Sequence, residues 1–509
     1  MVETVIQGKT RKRRELCAFY THSDPIVTYM VSRLQVEHGD RILEPCAGDG
    51  VFIERILRDP RSTGSRIHAV ELNSQAVERL RDKFKNYANV TVQEADMLVK
   101  STDTLFEEKH ELYTKIIGNP PYGAWQDQKR RQLLKKIYGG YVRETYGLFI
   151  RKGIELLEES GRLVFIVPDT FLALHLHAGL RRYLVSHTKI EEITLIPSKF
   201  FPGVSFGYSN LCIITLVKSK HPGKNMIRIV SLARRVDALY EVANGNYGAA
   251  DSVDEINQDD VGRWENIGFM IGCQGNKKIR VTVGEAATRL GDMADCVTGF
   301  YSGDDRQFLR VRAQAVKRAV RYRAVPEAEV SFDFAGQEKI LSGLSDGKKY
   351  VPLLKGGGTR PFVTGTDWFM RWDSEAVEFY KRDPKARFQN SQYYFREGIG
   401  IPMVKTRRIR AFFLQNRLFD QSVVGVFPKK PENLNYLLAF LNSIACTKML
   451  MALNHTANNS ANYVKRIPVI MESAAVAKVE AIMERFWQGT EVREILVEID
   501  EVFGKLFGI

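Results

Sequence analysis

Arg41-Ile42-Leu43-Glu44-Pro45-Cys46-Ala47-Gly48-Asp49-Gly50-Val51-Phe52 joins a short apolar run to a loop with two glycines and an apolar restart. The run reads as a buried strand over Arg41–Pro45 and the restart at Val51 as the opening of a helix. Gly48 and Gly50 permit a tight turn and a close approach of backbone to a ligand at the helix N-terminus. The loop is not G-x-G-x-x-G and has no Gly-Lys-Ser/Thr, so nothing in it cradles a phosphate chain. Taken alone it is also compatible with an ordinary βα turn.

Outward from this loop the same alternation recurs. Strand candidates follow at Arg66–Leu72, Val90–Ala95, Lys115–Gly118, Arg162–Val167, Ile190–Ile196 and Leu211–Val217. Helical spacing lies between them at Ser74–Tyr87 and Glu144–Glu159, with Gly161 as the C-terminal stop of the second. Seven strands with interleaved helices predict an α/β, doubly wound, Rossmann-like domain, whose ligand sits beyond the carboxyl ends of the strands. After about Lys220 the alternation becomes irregular and glycine, aromatic and basic residues rise. The predicted divisions are therefore 1–222, an α+β domain over 223–470, and a helical C-terminal segment over 471–509. Val236–Asp260, polar and rich in aspartate, reads as an insertion or linker.

Composition sets bounds on function. The chain has 509 residues, 44% hydrophobic and 26% charged, values in the globular range. Lys+Arg 74 against Asp+Glu 60 leaves +14, which favours a polyanionic partner. The six cysteines, Cys17, Cys46, Cys212, Cys273, Cys296 and Cys446, include no C-x-x-C pair, so neither a disulfide framework nor a zinc site is expected, and a reducing cytoplasm fits. No metal is expected. The N-terminus carries charge without an apolar stretch, and no run approaches the roughly 18 apolar residues of a membrane span. Thr10–Arg14 reads as a basic solvated tail.

Chemistry should lie just after the strands. Glu71 ends the second, where a carboxylate can accept both hydroxyls of a ribose, and Asp96 ends the third, where it can accept an exocyclic amine. Either acid alone is commonly a helix cap. In series behind the glycine loop they describe an adenosine-bearing cofactor without phosphates, and S-adenosylmethionine fits. Asn119-Pro120-Pro121-Tyr122 ends the fourth strand. Two prolines fix φ and remove two amide donors, so the turn presents the Asn119 amide and the Pro120 carbonyl as acceptors in one direction. A planar amine docked there would lose its conjugation, gain a localised lone pair and attack a sulfonium methyl, with Tyr122 stacked on its ring.

These residues, in this order, resemble the DNA adenine N6-methyltransferases of the γ motif order. Phe19-Tyr20-Thr21-His22-Ser23-Asp24-Pro25 resembles that family's N-terminal cofactor motif, although its usual Thr-Pro is interrupted here. The glycine loop reads C-A-G-D-G where the family more often has A-C-G-S-G, with both glycines kept. The resemblance continues through Tyr146-Gly147-Leu148-Phe149, Gly161–Pro168 and Lys199-Phe200-Phe201-Pro202-Gly203-Val204. It implies S-adenosylmethionine contacts at Tyr20, Thr21, Glu44, Pro45, Ala47, Gly48, Gly50, Glu71, Leu72, Asp96, Met97, Asn119 and Pro121. It implies catalysis at Asn119, Pro120 and Tyr122, with Phe201 packing on a flipped base; Phe200 and Phe206 are the alternatives for that role.

The second half resembles the specificity region of Type II restriction-modification methylases and of the larger PglX-type phage-exclusion methylases. The segments that carry this likeness are Val297–Asp305, Tyr393–Gly398 and Leu437–Pro468. Asp333 with Glu338 and Lys339 has the wrong spacing for a nuclease. Independently, Arg306 to Arg323 holds seven basic residues and no acid, and Lys405, Arg407, Arg408, Arg410 and Arg417 form a second acid-free run beside Tyr393, Tyr394, Phe412 and Phe413. A solvated face accounts for either run alone. Together they suit backbone neutralisation and stacking, with Arg306, Arg310, Lys355, Arg396, Lys405, Arg407, Arg408 and Arg410 as the DNA-binding candidates. The expectation is thus a site-specific DNA adenine methyltransferase of a bacterial or archaeal cytoplasm. Double-stranded DNA is its substrate, and a cognate restriction endonuclease or defence-system proteins are its partners. The rivals are an RNA or protein-glutamine N-methyltransferase and a non-catalytic DNA-binding specificity protein.

Overall fold

The computed structural model describes residues 23–99, 112–122, 128–139, 144–200, 210–220, 222–264, 268–271, 277–312, 321–332, 334, 340–344, 347–356, 360–363, 365, 367–454 and 458–509. Two compact units divide the chain after Gly275.

The first unit is built on one sheet. Its strands are β1 (Arg41–Glu44), β2 (Arg66–Glu71), β3 (Val90–Glu94), β4 (Tyr113–Gly118), β5 (Leu157–Pro168), β6 (Thr188–Ile196), β7 (Leu211–Lys218), β8 (Met226–Ser231) and β9 (Ser252–Asn257), in the order β3-β2-β1-β4-β5-β7-β6-β8-β9. The expected seven strands all form. Pairing is parallel from β3 through β5, whereas β7 enters antiparallel between β5 and β6. Leu163 to Val167 and Leu211 to Leu216 are almost continuously apolar and fully enclosed, because helices cover both faces of the sheet. Those helices include α1 (Asp24–Leu34), α2 (Val51–Leu57), α3 (Ser74–Phe84), α4 (Gln128–Tyr138) and α5 (Thr145–Leu156).

Several sequence expectations are corrected. The boundary falls at Gly275 rather than at 222, because β8 pairs parallel with β6 and β9 closes the edge antiparallel to β8. The polar stretch read as a linker thus supplies an edge strand. Gly161 does not stop a helix: α5 ends at Leu156, Ser160 takes the left-handed turn at φ +67°, and Gly161 already lies within β5. A Cβ there would stand 3.0 Å from the Glu158 carbonyl and 3.1 Å from that of Tyr113.

The second unit holds two sheets and a helical cap. Its strands are β10 (Ala294–Thr298), β11 (Leu309–Val311), β12 (Arg323–Ala324), β13 (Tyr350–Leu354), β14 (Trp368–Arg371), β15 (Gly398–Pro402), β16 (Phe412–Leu414), β17 (Leu418–Phe419) and β18 (Val423–Pro428). They form a four-stranded sheet, β10-β18-β15-β16, and a five-stranded one, β12-β11-β14-β13-β17. An aromatic core of Phe300, Trp372, Tyr380 and Tyr394 fills the space beside them, with Phe300 and Trp372 edge-on at 5.4 Å. Residues 471–509 are part of this unit and form two helices, Ser473–Trp487 and Val492–Phe507, broken at Gly489 with φ +105°. Phe503 and Phe507 of the second pack on Phe440.

Among the described residues no single helix is long and apolar enough to cross a membrane. Cys46 and Cys212 in the first unit, and Cys296 and Cys446 in the second, are free thiols that burial pushes well up from their ordinary range. Cys17 and Cys273 lie outside the described residues.

Candidate active site

β1 has β2 on one side and β4 on the other, so the direction in which the chain winds reverses between β1 and β4. That is where an open α/β sheet leaves a crevice at its carboxyl edge. Pairing of Leu43 with Ile116 sets the two loops that follow side by side. A Cβ on Gly118 would lie 3.4 Å from Cys46 Sγ and 3.5 Å from Pro45 Cδ. The Cys46 side chain therefore lies against the end of β4, next to the start of the Asn119–Tyr122 turn. Sequence reasoning missed this contact, because Cys46 and Gly118 are distant in the chain and nothing local marks either as the other's neighbour.

The glycine loop is shaped by two left-handed residues, Gly48 at φ +55° and Gly50 at φ +72°. The second is also required by packing, since a Cβ there would come within 2.7 Å of the Phe84 ring and 2.8 Å of Leu80. Glu71 fixes the loop from the neighbouring strand. One of its oxygens accepts from the Gly48 N–H at 2.9 Å, the other from Leu72 and Asn73 N–H at 2.8 Å each. Glu44 is 2% exposed and its Oε2 has no hydrogen-bond partner among the described residues. Burial first and the Glu71 charge second hold its carboxyl well above the usual carboxylate range. Ala47 is buried, donating its N–H to Val70 at 3.0 Å, and Met97 is buried, whereas Leu72 stands 48% exposed at the rim. Asp96 accepts from the Leu98 N–H at 3.1 Å, and its other oxygen is paired with Arg130 on α4.

At the end of β4, Pro120 is buried and Tyr122 is 8% exposed. The Tyr122 hydroxyl contacts Asn119 Oδ1 and lies 3.1 Å from the Ile166 carbonyl. The amide oxygen expected to receive an amine is therefore engaged by the neighbouring phenol in this state, and the ring is folded into the core. Phe200 is half-buried against that core with the Lys199 ammonium 5.3 Å from its ring centre. Tyr20, Thr21, Phe201 and Phe206 lie outside the described residues.

The DNA-binding candidates of the second unit separate into two kinds. Arg306, Arg396, Arg407 and Arg410 are exposed. Arg310 donates to the Gln307 and Leu309 carbonyls, and Lys405 to Asn454 O at 2.8 Å. Arg408 grips Asp500 through two bonds of 2.9 and 3.0 Å, which fastens the run to the last helix. Lys355 bridges Asp305 and Asp420; burial pulls its ammonium down, and the two carboxylates outweigh that and raise it.

The unmatched Glu44 oxygen, the left-handed glycines and the amide-gathering Glu71 suit a cationic amino acid joined to a nucleoside. With a sheet in this order, they define an S-adenosylmethionine-dependent methyltransferase, and S-adenosylmethionine is the cofactor. Residues 54–201 match the Eco57I restriction-modification methylase family. The Type II methyltransferase M.TthHB8I of Thermus thermophilus is 32% identical over 189 residues, 35% of this chain and 40% of that protein. Ribosomal RNA small subunit methyltransferase A of Prochlorococcus marinus is 34% identical over 220 residues, 43% of this chain and 71% of that protein. The chain thus spans well under half of the Type II relative. A nuclease-deletion mutant of the restriction-modification enzyme LlaGI, solved with a DNA substrate mimic, superposes with a TM-score of 0.56 at 14% identity. That match covers 92% of this chain and 46% of LlaGI, and shows a shared fold.

Proposed function

We propose that the chain is a site-specific DNA methyltransferase that methylates the N6 amine of an adenine turned out of the duplex. It serves restriction-modification or phage defence in a bacterial or archaeal cytoplasm, beside a cognate endonuclease or other defence proteins. The observation that carries this reading is the Asn119–Tyr122 turn, which follows β4 beside the glycine loop that follows β1, at the crevice between the two strands.

When bound, S-adenosylmethionine supplies a sulfonium methyl, which ends on the amine nitrogen while a neutral thioether remains. Asn119 Oδ1 and the Pro120 carbonyl accept from the two N–H groups of the amine and localise its lone pair toward that methyl. For Asn119 to do so the Tyr122 hydroxyl must let go, which frees the ring to stack on the base. After transfer the nitrogen sheds one proton to solvent. An adenine amine cannot be reached inside a stacked duplex, so the base is extruded. Glu71 and Asp96 receive the ribose and the adenine amine of the cofactor.

The likeness to a ribosomal RNA methyltransferase supports a second reading, in which the acceptor is RNA. Labelled S-adenosylmethionine offered to unmethylated genomic DNA and to ribosomal RNA, with single-molecule mapping of modified bases, separates the two. Modified adenines confined to one short DNA motif are expected; label only in RNA overturns the choice of substrate. Asn119→Ala is expected to lower methyl transfer by about 10²–10³-fold, the cost of deleting one preorganised polar group. DNA affinity should stay within about twofold, and retained transfer would refute the assigned role.

A further inference from the structure

We propose that α4 is a DNA-backbone contact of the catalytic unit, with Lys129, Arg131, Lys135 and Lys136 neutralising phosphates beside the target base. The proposal rests on the reading above that the acceptor is DNA. Its sequence, QKRRQLLKKIY, holds five cations and no acid. The surface helix α3, SQAVERLRDKF, differs: Glu78 and Asp82 are interspersed with its cations, and Arg79 and Lys83 reach Asp49 and Glu54.

The helix is firmly seated. Arg130, Leu134 and Tyr138 recur every fourth residue and form the inward face. Leu134 is fully buried, the Tyr138 hydroxyl donates to Leu98 O at 2.9 Å, and Arg130 pairs with Asp96. Arg151 of α5 donates to the Tyr138 carbonyl at 2.8 Å. These anchors lie at the carboxyl end of β3 and on α5, and α4 begins shortly after the Asn119–Tyr122 turn. The rod of about 16 Å therefore runs along the edge of the sheet at which an acceptor base must arrive.

Lys129, Arg131, Lys135 and Lys136 are all exposed, and among the described residues none has an ionic or hydrogen-bonding partner. Arg131 and Lys135 stand four apart, a like-charge spacing that costs an isolated helix a few tenths of a kcal/mol. Leu133 and Ile137, exposed at 42% and 44%, lie between the cations. A solvated face needs no such excess of one sign. A polyanion relieves the repulsion and gains by release of its counterions.

The test is the salt dependence of duplex binding by the full chain. A duplex of about 25 base pairs is titrated by fluorescence anisotropy between 50 and 200 mM KCl, for the wild type and for the combined variant K129S/R131S/K135S/K136S. Each phosphate contact contributes about 0.9 to the slope of log Kd against log salt, so loss of all four should lower the slope by about 3.6. S-adenosylmethionine affinity should stay within about twofold, which shows that the variant is folded. If it is not, K129S and K136S singly should each lower the slope by about 0.9. An unchanged slope, with a wild type that methylates DNA, overturns the role of α4 alone. A wild type that binds or methylates only RNA overturns the substrate and this contact together.

Discussion

Glu44 is a buried carboxyl with one oxygen that has no hydrogen-bond partner among the described residues. In the unfolded chain it titrates in the ordinary carboxylate range, and in the folded protein burial and Glu71 move it well above. Its favourable contribution to folding is complete below the ordinary range and is lost as pH rises through the folded-state value. At pH 8 the group therefore opposes folding, and at pH 4 it does not. Glu44→Gln should raise the melting temperature of the cofactor-free protein by about 2–4 °C at pH 8, with little gain at pH 4. It should also weaken S-adenosylmethionine binding about tenfold, because the carboxyl proposed to receive the cofactor's ammonium loses its charge. Melts at the two pH values and titration calorimetry read both effects; an equal gain at pH 4 and pH 8 contradicts the titration account. At this scale the places of the candidate residues at the strand ends were legible in the sequence. Glu44, Glu71, Asp96 and Asn119 each end an apolar run, and the fold gathers what ends its strands. The approach of Cys46 to Gly118, the Tyr122 hydroxyl on Asn119 and the pairing of Asp96 with Arg130 were not legible, since each depends on how the folded backbone brings side chains together.

Elements explain which parts of the fold the sequence revealed. The seven first strands are runs of apolar and β-branched residues enclosed on both faces, a signal that needs no partner to be seen. β9 is the counter-example: Ser252–Asn257 reads SVDEIN, four polar residues in six with no apolar alternation, and Ile256 alone of the strand is buried. The break at Gly489 was masked by apolar spacing that continues on either side of it. Gly50 shows element packing dictating a loop residue. Gly50→Ala would force a side chain into the left-handed region and against Phe84, at a cost of about 2–4 kcal/mol from backbone strain and overpacking. Urea titration should show that loss as a lower midpoint with an unchanged slope; a loss under 1 kcal/mol would mean that α3 yields.

Two units with separate cores predict two unfolding transitions. S-adenosylmethionine at a hundredfold excess over its Kd stabilises what it binds by about 2.7 kcal/mol, so calorimetry should raise one transition and leave the other. Lys355→Met should act on the other. It strips the counter-charge from Asp420, whose side chain is 4% exposed, and a broken buried pair costs about 3 kcal/mol. A single transition that moves with both the cofactor and Lys355→Met would mean that the units unfold as one. The buried thiols offer a further handle on the same question. A sulfhydryl kept protonated and enclosed does not react with alkylating reagents at neutral pH, and it reacts within seconds once released into solvent. Cys46 and Cys212 time the opening of the first unit, and Cys296 and Cys446 that of the second. Pulsed alkylation followed by peptide mass spectrometry would therefore clock each half of the native chain with no probe added to it.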